Sequence, residues 1–530
     1  WYHFQLFCYF VMISSNEFIL TTEESILFDI LLGCVRFQEG SQDTILRVAG
    51  GWVRDKLLGR KCIDIDIAIN NQSGVQFATA VNNYMLSMGM ETKTIAVIQA
   101  NPEQSKHLET ATVKIRGMDL DFVNLRAEEY TVDSRIPEMR LGTPLEDSLR
   151  RDFTVNALFY NINESKIEDF TGQGLDDLRA GLIRTPISAH KTFLDDPLRV
   201  LRAIRFSSRL GFEIHPEIEE AARREDVKLA LATKVSRERI YKECEGMFAS
   251  NGNSLGCKKI YRAFQLMHRF NVLDTVLPVE SLIAAFPAVD SSHSTIVDRW
   301  QDIALLSMST IVRLTDDGDP FGAANVKDLM WAASLCGLSG IKVLEKNKHI
   351  SLTTIVLREG LKMETNSIRN IQTMMDCMAE FCSFQSGIVK LSRENAGMVL
   401  RTCKDLWRDC ILLAAAYSLA LPGVDSSKVS NIIAGFGEML KEIEKMGLDG
   451  IWNMKPLLNG SELIRILGLP KGPAVGLLME EQTRWQLREC SEDVNALCEY
   501  LKEKAPELVG VVEGQQGLEK GSKKLKKSKS

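Results

Sequence analysis

Two adjacent glycines followed by a pair of aspartates constrain this chain more than any other feature. Residues 45–69 read ILRVAGGWVRDKLLGRKCIDIDIAI, where an apolar run ends at Gly50 and Gly51. Glycine has no side chain, so backbone N–H groups there can approach a bound anion closely. Asp64 and Asp66 follow in an alternating run, and the period of two in a strand turns both carboxylates to one face. The opposite face should carry Ile63, Ile65 and Ile67.

A phosphate-binding turn beside two hard oxygen ligands is the minimum equipment for metal-assisted nucleotidyl transfer. Carboxylate oxygens suit Mg²⁺. A metal ion can activate a hydroxyl nucleophile and neutralise a leaving pyrophosphate. Each half also has an ordinary explanation, because Gly-Gly is a common turn and Asp-x-Asp can lie on a solvated strand edge. Their order and spacing favour the functional interpretation.

Four further motifs follow along the chain. They read RRDFTVNA at 150–157, DFTGQGLDDL at 169–178, DDPLRVLRAIRF at 195–206 and VSRERIYKECEGMF at 235–248. With the first segment they resemble the ordered motifs of class II tRNA nucleotidyltransferases, the CCA-adding enzymes, and of the related bacterial poly(A) polymerases. These families belong to the nucleotidyltransferase superfamily of DNA polymerase β. The wording of the motifs most resembles the plant and fungal branch.

The resemblance assigns roles to residues of these motifs. Gly50, Gly51 and Arg54 would hold the triphosphate, since the planar guanidinium fits phosphate oxygens. Asp64 and Asp66 would be catalytic and hold the metals. Sugar binding and orientation of the nucleotide would fall to Arg151, Asp152 and Asn156, and contacts to a 2′-hydroxyl distinguish ribose from deoxyribose.

Asp121 is the candidate third catalytic carboxylate. It alternates with Asp119 in MDLDFVNLR on a second predicted strand. A charge on a strand face or in a loop is the alternative explanation for this residue.

Residues 195–206 predict a helix with an arginine-lined face. Asp196 before Pro197 is typical of a helix start, since Asp caps free N–H groups and Pro fits the first turn. Apolar residues of this segment point elsewhere, whereas three- and four-residue spacing aligns Arg199, Arg202, Arg205 and Arg209. Four like charges repel each other, so we expect a polyanion on this face. In the resembled family the incoming nucleotide lies there.

Asp196 and Arg199 also suggest a basis for nucleotide choice. Cytosine and adenine each present an exocyclic amine beside a ring-nitrogen acceptor, which a carboxylate and a guanidinium can pair. Uracil and guanine would leave a buried polar group without a hydrogen-bond partner, which costs about 1–3 kcal/mol of binding free energy. The resemblance therefore implies CTP and ATP as substrates, selected without a nucleic-acid template. Asp195 stands where many family members have Glu, which is a conservative difference.

Composition limits the remaining possibilities. The 530 residues suffice for several domains. With 64 Lys and Arg against 70 Asp and Glu, the net charge is −6, so any RNA-binding surface must be a local patch. Twelve Cys without a Cys-x-x-Cys pair, and only seven His, argue against a zinc site or a disulfide framework and favour a reducing compartment.

The first residues, WYHFQLFCYFVMI, form an apolar run that is too short to span a bilayer and lacks a basic leader. We therefore expect no membrane partner. The chain does not begin with Met, so an organellar targeting peptide stays an open alternative. The expected location is the cytoplasm and nucleus, with the mitochondrion or plastid as further compartments.

Alternating strands and helices predict an α/β head of the polymerase β-like nucleotidyltransferase fold, followed by an all-α neck, body and tail without a convincing strand. The segment at 457–489 resembles the C-terminal element of the family, in which a Gly-Pro turn separates two helices. Its Lys471, Arg484 and Arg488 either contact RNA or form a solvated helix face. The predicted domains are an N-terminal extension (1–44), the head (45–190), a helical neck with the nucleotide-base template (191–255), a helical body (256–420), a tRNA-binding helical tail (421–510) and a disordered Lys-rich tail (511–530).

The sequence thus predicts an enzyme that adds C, C and A to tRNA 3′ ends, using Mg²⁺, CTP and ATP and releasing pyrophosphate. We expect a monomer that contacts the 3′ end and acceptor arm of tRNA. Two alternatives stay open. One is a poly(A)-adding relative with the same head. The other is a non-catalytic RNA-binding paralogue, against which the intact Asp64 and Asp66 speak. The Lys-rich tail could assist RNA binding or nuclear import, or act only as a solubilising segment.

Overall fold

The structure is a computed structural model that describes residues 18–38, 40, 43–98, 110–129, 138–249, 254–286, 299–316, 318 and 321–508. The chain divides into two compact units. We call the first the head unit; it comprises Trp1–Ala249, Arg262–Ala285 and Glu359–Met363. The second, the helical unit, comprises Ser250–Tyr261, Phe286–Arg358 and Glu364–Ser530. The predicted head and most of the predicted neck therefore share one unit. The Lys-rich tail lies outside the described residues.

A seven-stranded mixed sheet forms the centre of the head unit. Its strands follow the order β3-β4-β5-β2-β1-β8-β9, and a separate pair joins β6 and β7. Among the neighbours in the large sheet, β2 and β5 are parallel and the other pairs are antiparallel. The strands are β1 (Leu46–Ala49), β2 (Asp64–Ile69), β3 (Ala96–Ile98), β4 (Thr110–Ile115), β5 (Met118–Asn124), β6 (Arg126–Glu129), β7 (Glu138–Leu141), β8 (Phe159–Asn161) and β9 (Lys166–Glu168).

The predicted alternation in β2 is present, with one exception. Ile65 and Ile67 are buried in the core, on the face opposite the aspartates. Ile63 is 85% exposed, so the expectation that it shares the buried face is wrong. The strand begins only at Asp64, and the pleat that would turn Ile63 inward has not yet started.

Among the described residues up to 180, five α-helices accompany the sheet. The first opens with a capping box between Thr21 and Glu24 and packs against the third. Part of the predicted N-terminal extension is therefore built into the head unit. The five helices are α1 (Thr22–Phe37), α2 (Gly51–Leu57), α3 (Gly74–Ser87), α4 (Pro144–Leu149) and α5 (Gly174–Ala180).

Helices dominate the following segment, as predicted, but a short strand interrupts them. β10 (Leu182–Ile183) pairs in parallel with β11 (Glu213–Ile214). A strand of two residues is too short for a period of two to be visible in the sequence. The helices are α6 (Ala189–Asp195), α7 (Arg199–Leu210), α8 (Pro216–Ala222), α9 (Glu225–Lys234), α10 (Arg237–Phe248), α11 (Ser254–Arg269), α12 (Leu273–Val276) and α13 (Val279–Ala285).

The described residues of the helical unit include a β-hairpin, which corrects the all-α prediction. β12 (Lys342–Glu345) pairs antiparallel with β13 (Lys348–Ser351) around Lys346 and Asn347, both at positive φ. Such a turn usually contains glycine, and because this one has none, no local signal predicts the hairpin. The helices of this unit, beyond α11, are Trp300–Asp316, Val326–Leu335, Leu352–Ile355, Thr365–Gln385, Arg393–Cys403, Trp407–Ala420, Ser426–Lys445, Gly460–Leu467, Pro473–Glu489 and 494–508.

The predicted α/β head is confirmed, and the remainder, predicted to be all α-helical, is mainly helical. The predicted Gly-Pro turn does separate two helices, at Gly472 and Pro473. Within the described part of the chain, none of the helices combines the length and apolar character needed to cross a membrane.

Candidate active site

Three carboxylates meet on the central sheet of the head unit. Parallel pairing of β2 and β5 places Asp66 opposite Asp121. Carboxylate oxygens of Asp64, Asp66 and Asp121 all lie within 4.8 Å of one another. The period of two aligns Asp64 with Asp66, and the register adds Asp121 from the neighbouring strand. The structure thus brings together the three residues that the sequence singled out.

The triad is electrostatically crowded. Burial, followed by the charges of Asp64 and Asp121, raises the pKa of Asp66 to about 6. Thr112 donates a hydrogen bond from Oγ1 to Asp121 Oδ1 at 2.6 Å, which orients that carboxylate. Asp119 stays outside the triad and lies 3.3 Å from Lys114 Nζ. Clustered carboxylate oxygens whose mutual repulsion a cation would relieve fit a hard divalent metal.

The glycine pair forms the turn between β1 and α2. Gly50 has φ +69°, and a Cβ atom there would lie 2.7 Å from Arg151 Nη1. Only glycine therefore allows this approach of Arg151. The N–H of Gly50 already donates to the Leu158 carbonyl at 2.9 Å, so this amide is not available to an anion. The helix begins at Gly51, and its first N–H groups have no intrahelical partner.

A chain of polar contacts links three motifs beside this turn. Arg54 donates from Nη1 to Asn156 Oδ1, and Asn156 donates from Nδ2 to Asp152 Oδ1 at 2.9 Å. Arg202 donates from Nε to Asp152 Oδ2 at 2.8 Å. Burial alone would raise the pKa of Asp152, but the charge of Arg202 and these hydrogen bonds hold it at about 2. Asp152 is therefore an anion under all ordinary conditions.

Acidic residues from other elements neutralise part of the arginine face on α7. Arg202 pairs with Asp152, and its Nη1 also lies 3.6 Å from Glu243 Oε1 on α10. Arg205 donates from Nε to Glu243 Oε2 at 2.6 Å. The expectation that a polyanion must relieve the repulsion is therefore wrong for these two arginines. Their partners come from segments 38 to 50 residues away, which helix periodicity does not reveal.

Positive charge still gathers at the end of this face. Arg209 is exposed, and partial burial followed by the nearby charges of Arg205 and Arg54 lowers its pKa. Arg60 contributes in the same direction. This cluster of guanidinium groups, close to the helix that follows the glycine turn, suits a phosphate chain.

Arg151 is held by a buried carboxylate that the motif reading missed. Its Nη2 lies 2.8 Å from Asp147 Oδ2, and its Nη1 donates to the Asn156 carbonyl at 3.2 Å. Asp147 is 1% exposed and also pairs with Arg150 at 2.6 Å. Arg151 lies close enough to Asp66 to lower the pKa of that carboxyl. Asp147 thus fixes a cation between the glycine turn and the triad.

Asp196 is not the N-cap of α7. The helix begins at Arg199 after the cap residue Leu198, which makes no side-chain cap bond. Asp196 Oδ1 accepts from the Leu198 N–H at 3.3 Å, and Oδ2 accepts from Arg239 Nη2 at 3.1 Å. Arg199, which is buried, donates from Nη2 to the Arg150 carbonyl at 2.7 Å. A carboxylate offers about four acceptor positions and a guanidinium five donors, so both side chains keep hydrogen-bonding capacity.

Sequence reasoning missed three residues that shape this site. They are Asp147, Glu243 and Arg239, and each acts by holding a predicted site residue. Glu243 and Arg239 lie in the motif at 235–248, in which no site residue was predicted. No local spacing connects them to α7, because the contacts are made by the fold.

Known proteins resemble this chain over most of its length. A family model described as the Poly A polymerase head domain matches residues 46–184. The mitochondrial CCA tRNA nucleotidyltransferase of Saccharomyces cerevisiae is 34% identical over 495 residues, which cover 88% of this chain and 89% of the relative. The protein of the same name from Candida glabrata is also 34% identical over 495 residues, covering 88% and 92%.

A solved CCA-adding enzyme in complex with ATP has the same fold. It matches with a TM-score of 0.57 and 20% identity, over 92% of this chain and 94% of that one. The fold of the head and of the helices beyond it is thus shared with a known structure. Because the sequence identity to the fungal relatives extends over nearly the whole of both chains, this chain belongs to the CCA tRNA nucleotidyltransferase family.

Proposed function

We propose that this protein adds C, C and A to the 3′ end of tRNA, using CTP and ATP and releasing pyrophosphate. The observation that carries the proposal is the group of Asp64, Asp66 and Asp121, held in register on two parallel strands. Membership of the family supports the same reaction. A poly(A)-adding activity is the alternative that uses the same head.

Asp64 and Asp66, with Asp121 beside them, are the residues that would hold Mg²⁺. The bound metal supplies activation of the primer 3′-hydroxyl and neutralisation of the leaving pyrophosphate. The free N–H groups at the start of α2, from Gly51 onward, and the Arg54 and Arg209 guanidiniums bind the triphosphate. Gly50 permits the turn.

The polar chain from Arg54 to Arg202 orients the nucleotide sugar. Asn156 and Asp152 each have a fixed partner on both sides, so their remaining donor and acceptor positions point in fixed directions. Arg151 is fixed in the same way by Asp147. Side chains held like this can contact ribose hydroxyls without a large loss of conformational entropy.

Asp196 and Arg199 select the base. Asp196 accepts from the exocyclic amine, and Arg199 donates to the ring nitrogen, a pattern that cytosine and adenine satisfy. Arg239 donates a hydrogen bond to Asp196, and Arg199 donates one to the Arg150 carbonyl, so both side chains are held in place. Arg202 and Arg205 support the same helix through Asp152 and Glu243.

The helical tail contributes tRNA binding. Two helix N-termini, at Gly460 and Pro473, flank an open cavity of about 600 Å³. Ser461, Lys471 and Gly472 line this cavity. Asn459 caps the helix that begins at Gly460, whereas the helix that begins at Pro473 has no side-chain cap, and its positive end beside a lysine suits a backbone phosphate. Arg484 and Arg488 are less suited, since Glu394 pairs with both of them.

A mitochondrial location is part of the proposal, because the two fungal relatives are named as mitochondrial proteins. Import of a tagged protein into isolated mitochondria checks it. Function in the cytoplasm and nucleus, and a monomeric state, stay predictions.

Activity on a tRNA without its terminal CCA tests the reaction. Wild-type protein with Mg²⁺, CTP and ATP should extend the tRNA. Asp64→Ala should extend it at least a hundredfold more slowly while still binding tRNA. The reason is that the lost metal ligand is needed for the reaction and not for the fold. Asp119→Ala is the matched control on the neighbouring strand. Extension by Asp64→Ala within tenfold of wild type would contradict the assignment.

A further inference from the structure

Three buried cysteines converge in the helical unit. The Sγ atoms of Cys377, Cys403 and Cys410 all lie within 4.8 Å of one another. None of the three side chains belongs to a residue more than 3% exposed. The three cysteines are separated by 26 and 7 residues in the sequence, which matches no common metal-binding spacing.

Three helices bring these side chains together. Cys377 lies in the middle of Thr365–Gln385, Cys403 ends Arg393–Cys403, and Cys410 lies in the first turn of Trp407–Ala420. The link between the last two helices is tight and passes through Lys404 at φ +52°. A non-glycine residue in that region costs about 1–3 kcal/mol and persists only where surrounding contacts enforce it. The strained link sets Cys403 and Cys410 against the same helix.

Ordinary burial of cysteine does not account for the group. Cysteine is often buried as a small apolar residue, and buried Cys34, Cys244, Cys257 and Cys336 fit that description. Within the described residues, these four join no such cluster. In the trio, by contrast, three sulfur atoms from three helices lie within 4.8 Å of one another, and Cys403 Sγ also donates to the Val399 carbonyl at 3.2 Å. A disulfide would use two of the sulfurs and leave the third.

The donor set is soft. Within the described part of the chain, no histidine, carboxylate or fourth cysteine joins the three sulfurs. Thiolate ligands select soft cations such as Cu⁺ and Zn²⁺ over Mg²⁺, which prefers oxygen. This chemistry is separate from that of the aspartate triad.

We propose that Cys377, Cys403 and Cys410 form a binding site for one thiophilic d¹⁰ metal ion that cross-links the three helices. Binding releases the thiol protons to solvent and forms three metal–sulfur bonds, without oxidation or reduction. Structural Zn²⁺ takes four ligands, so a set of three buried sulfurs favours Cu⁺. The role is structural, because the site is closed to solvent.

Competition for metal tests the proposal. The reduced full-length protein is titrated without oxygen with Cu⁺ held by a chromogenic chelator, and in a second arm with Zn²⁺. Wild type should take one Cu⁺ ion per chain from the chelator. The Cys377→Ser and Cys410→Ser variants should bind this ion about tenfold or more weakly. Cys382→Ser is the matched control, since Cys382 lies on the same helix and its Sγ faces Ser418 Oγ at 3.5 Å.

X-ray absorption at the copper edge of the loaded wild-type protein should show three sulfur neighbours of the metal. This measurement uses only the wild-type protein, so it does not depend on the folding of a variant. Stronger binding of Zn²⁺ than of Cu⁺, lost in the same two variants, would support the site and assign it to zinc. The proposal would be overturned if Cys377→Ser bound Cu⁺ and Zn²⁺ as tightly as wild type does. A copper spectrum with fewer than three sulfur neighbours would also overturn it. Nucleotide addition by the aspartate triad does not depend on either result.

Discussion

Asp66 sits between two other carboxylates, and this crowding has a measurable consequence. Its pKa of about 6 exceeds the ordinary value, so the folded protein binds this proton more tightly than the unfolded chain does. The stability of the metal-free protein therefore decreases as the pH rises from about 4 to about 6, and stays lower above that range. Asp66→Asn removes this repulsion. We expect the variant to melt at a higher temperature than wild type at about pH 7.5 in the presence of a chelator, with a much smaller difference near pH 4.

Addition of Mg²⁺ should raise the melting temperature of wild type and leave that of Asp66→Asn almost unchanged. Asp119→Asn serves as the control, because Asp119 is paired with Lys114 outside the triad. A difference between Asp66→Asn and wild type that does not change with pH would show that the three carboxylates do not interact.

Asp196 offers a second test, of base selection. Asp196→Asn can still accept from Arg239, but an amide N–H₂ can replace the oxygen that faces the base. Incorporation of both CTP and ATP should fall about ten- to a hundredfold, because one buried hydrogen bond becomes a mismatch. Asp195→Asn, next along the chain and paired with Lys191, is the matched control. Single-turnover incorporation of the four NTPs measures the effect, and an Asp196→Asn variant equal to wild type would place base selection elsewhere.

Local spacing in the sequence predicted the three aspartates of the triad, but it did not predict the residues that hold the other site residues in place. Asp64 and Asp66 follow from a period of two, and Asp121 follows from the same alternation on a second strand. Asp147, Glu243 and Arg239 make contacts that arise only when distant segments pack. The same is true of Cys377, Cys403 and Cys410, which no Cys-x-x-Cys spacing connects; the lack of that spacing argues against a zinc site and says nothing of this group.

Ion pairs hold α7 against Glu243 of α10 and against Asp152, which lies in the segment after α4. Removal of Arg202 leaves Asp152 buried without its main partner, and such a loss costs about 3–5 kcal/mol. Arg202→Ala should therefore lower the melting temperature as well as activity, and adding Asp152→Asn should restore part of the stability without restoring activity. Thermal unfolding of the single and double variants measures this coupling.

Arg209→Ala is the control on the same helix. Arg209 is exposed, so its removal should leave the melting temperature near that of wild type while weakening the binding of nucleotide triphosphates, most strongly at low salt. If Arg202→Ala were as stable as wild type, the pair with Asp152 would contribute nothing to the packing of this helix.

Long periodic segments were predictable, and short elements were not. The helices at Ser254–Arg269, Trp407–Ala420 and Ser426–Lys445 follow from apolar periodicity over several turns. β10, β11 and the hairpin of β12 and β13 have two to four residues each, too few for any period to be recognised. The start of α7 was misplaced because Asp196 and Pro197 imitate a helix cap.

The whole molecule carries a net charge of −6, so tRNA must be attracted by local surfaces. The cavity around Lys471 is the proposed surface in the tail. Lys471→Ala should weaken tRNA binding and make its logarithmic dependence on salt shallower by about 1 unit, because one phosphate contact is lost. Arg484→Ala is the control, since Glu394 and Glu480 already compensate that charge. Filter binding over a range of salt concentrations measures both, and equal slopes for Lys471→Ala and wild type would remove this residue from the interface.

The most direct test of the proposed reaction is the length of the product. A tRNA that lacks its 3′ terminal nucleotides is incubated with the protein, Mg²⁺ and each NTP singly, and then with CTP and ATP together, and the products are sized on a sequencing gel. Our account predicts that CTP alone adds two residues, that CTP with ATP adds three and then stops, and that UTP and GTP add none. Unlimited extension with ATP alone, or no extension under any condition, would contradict it.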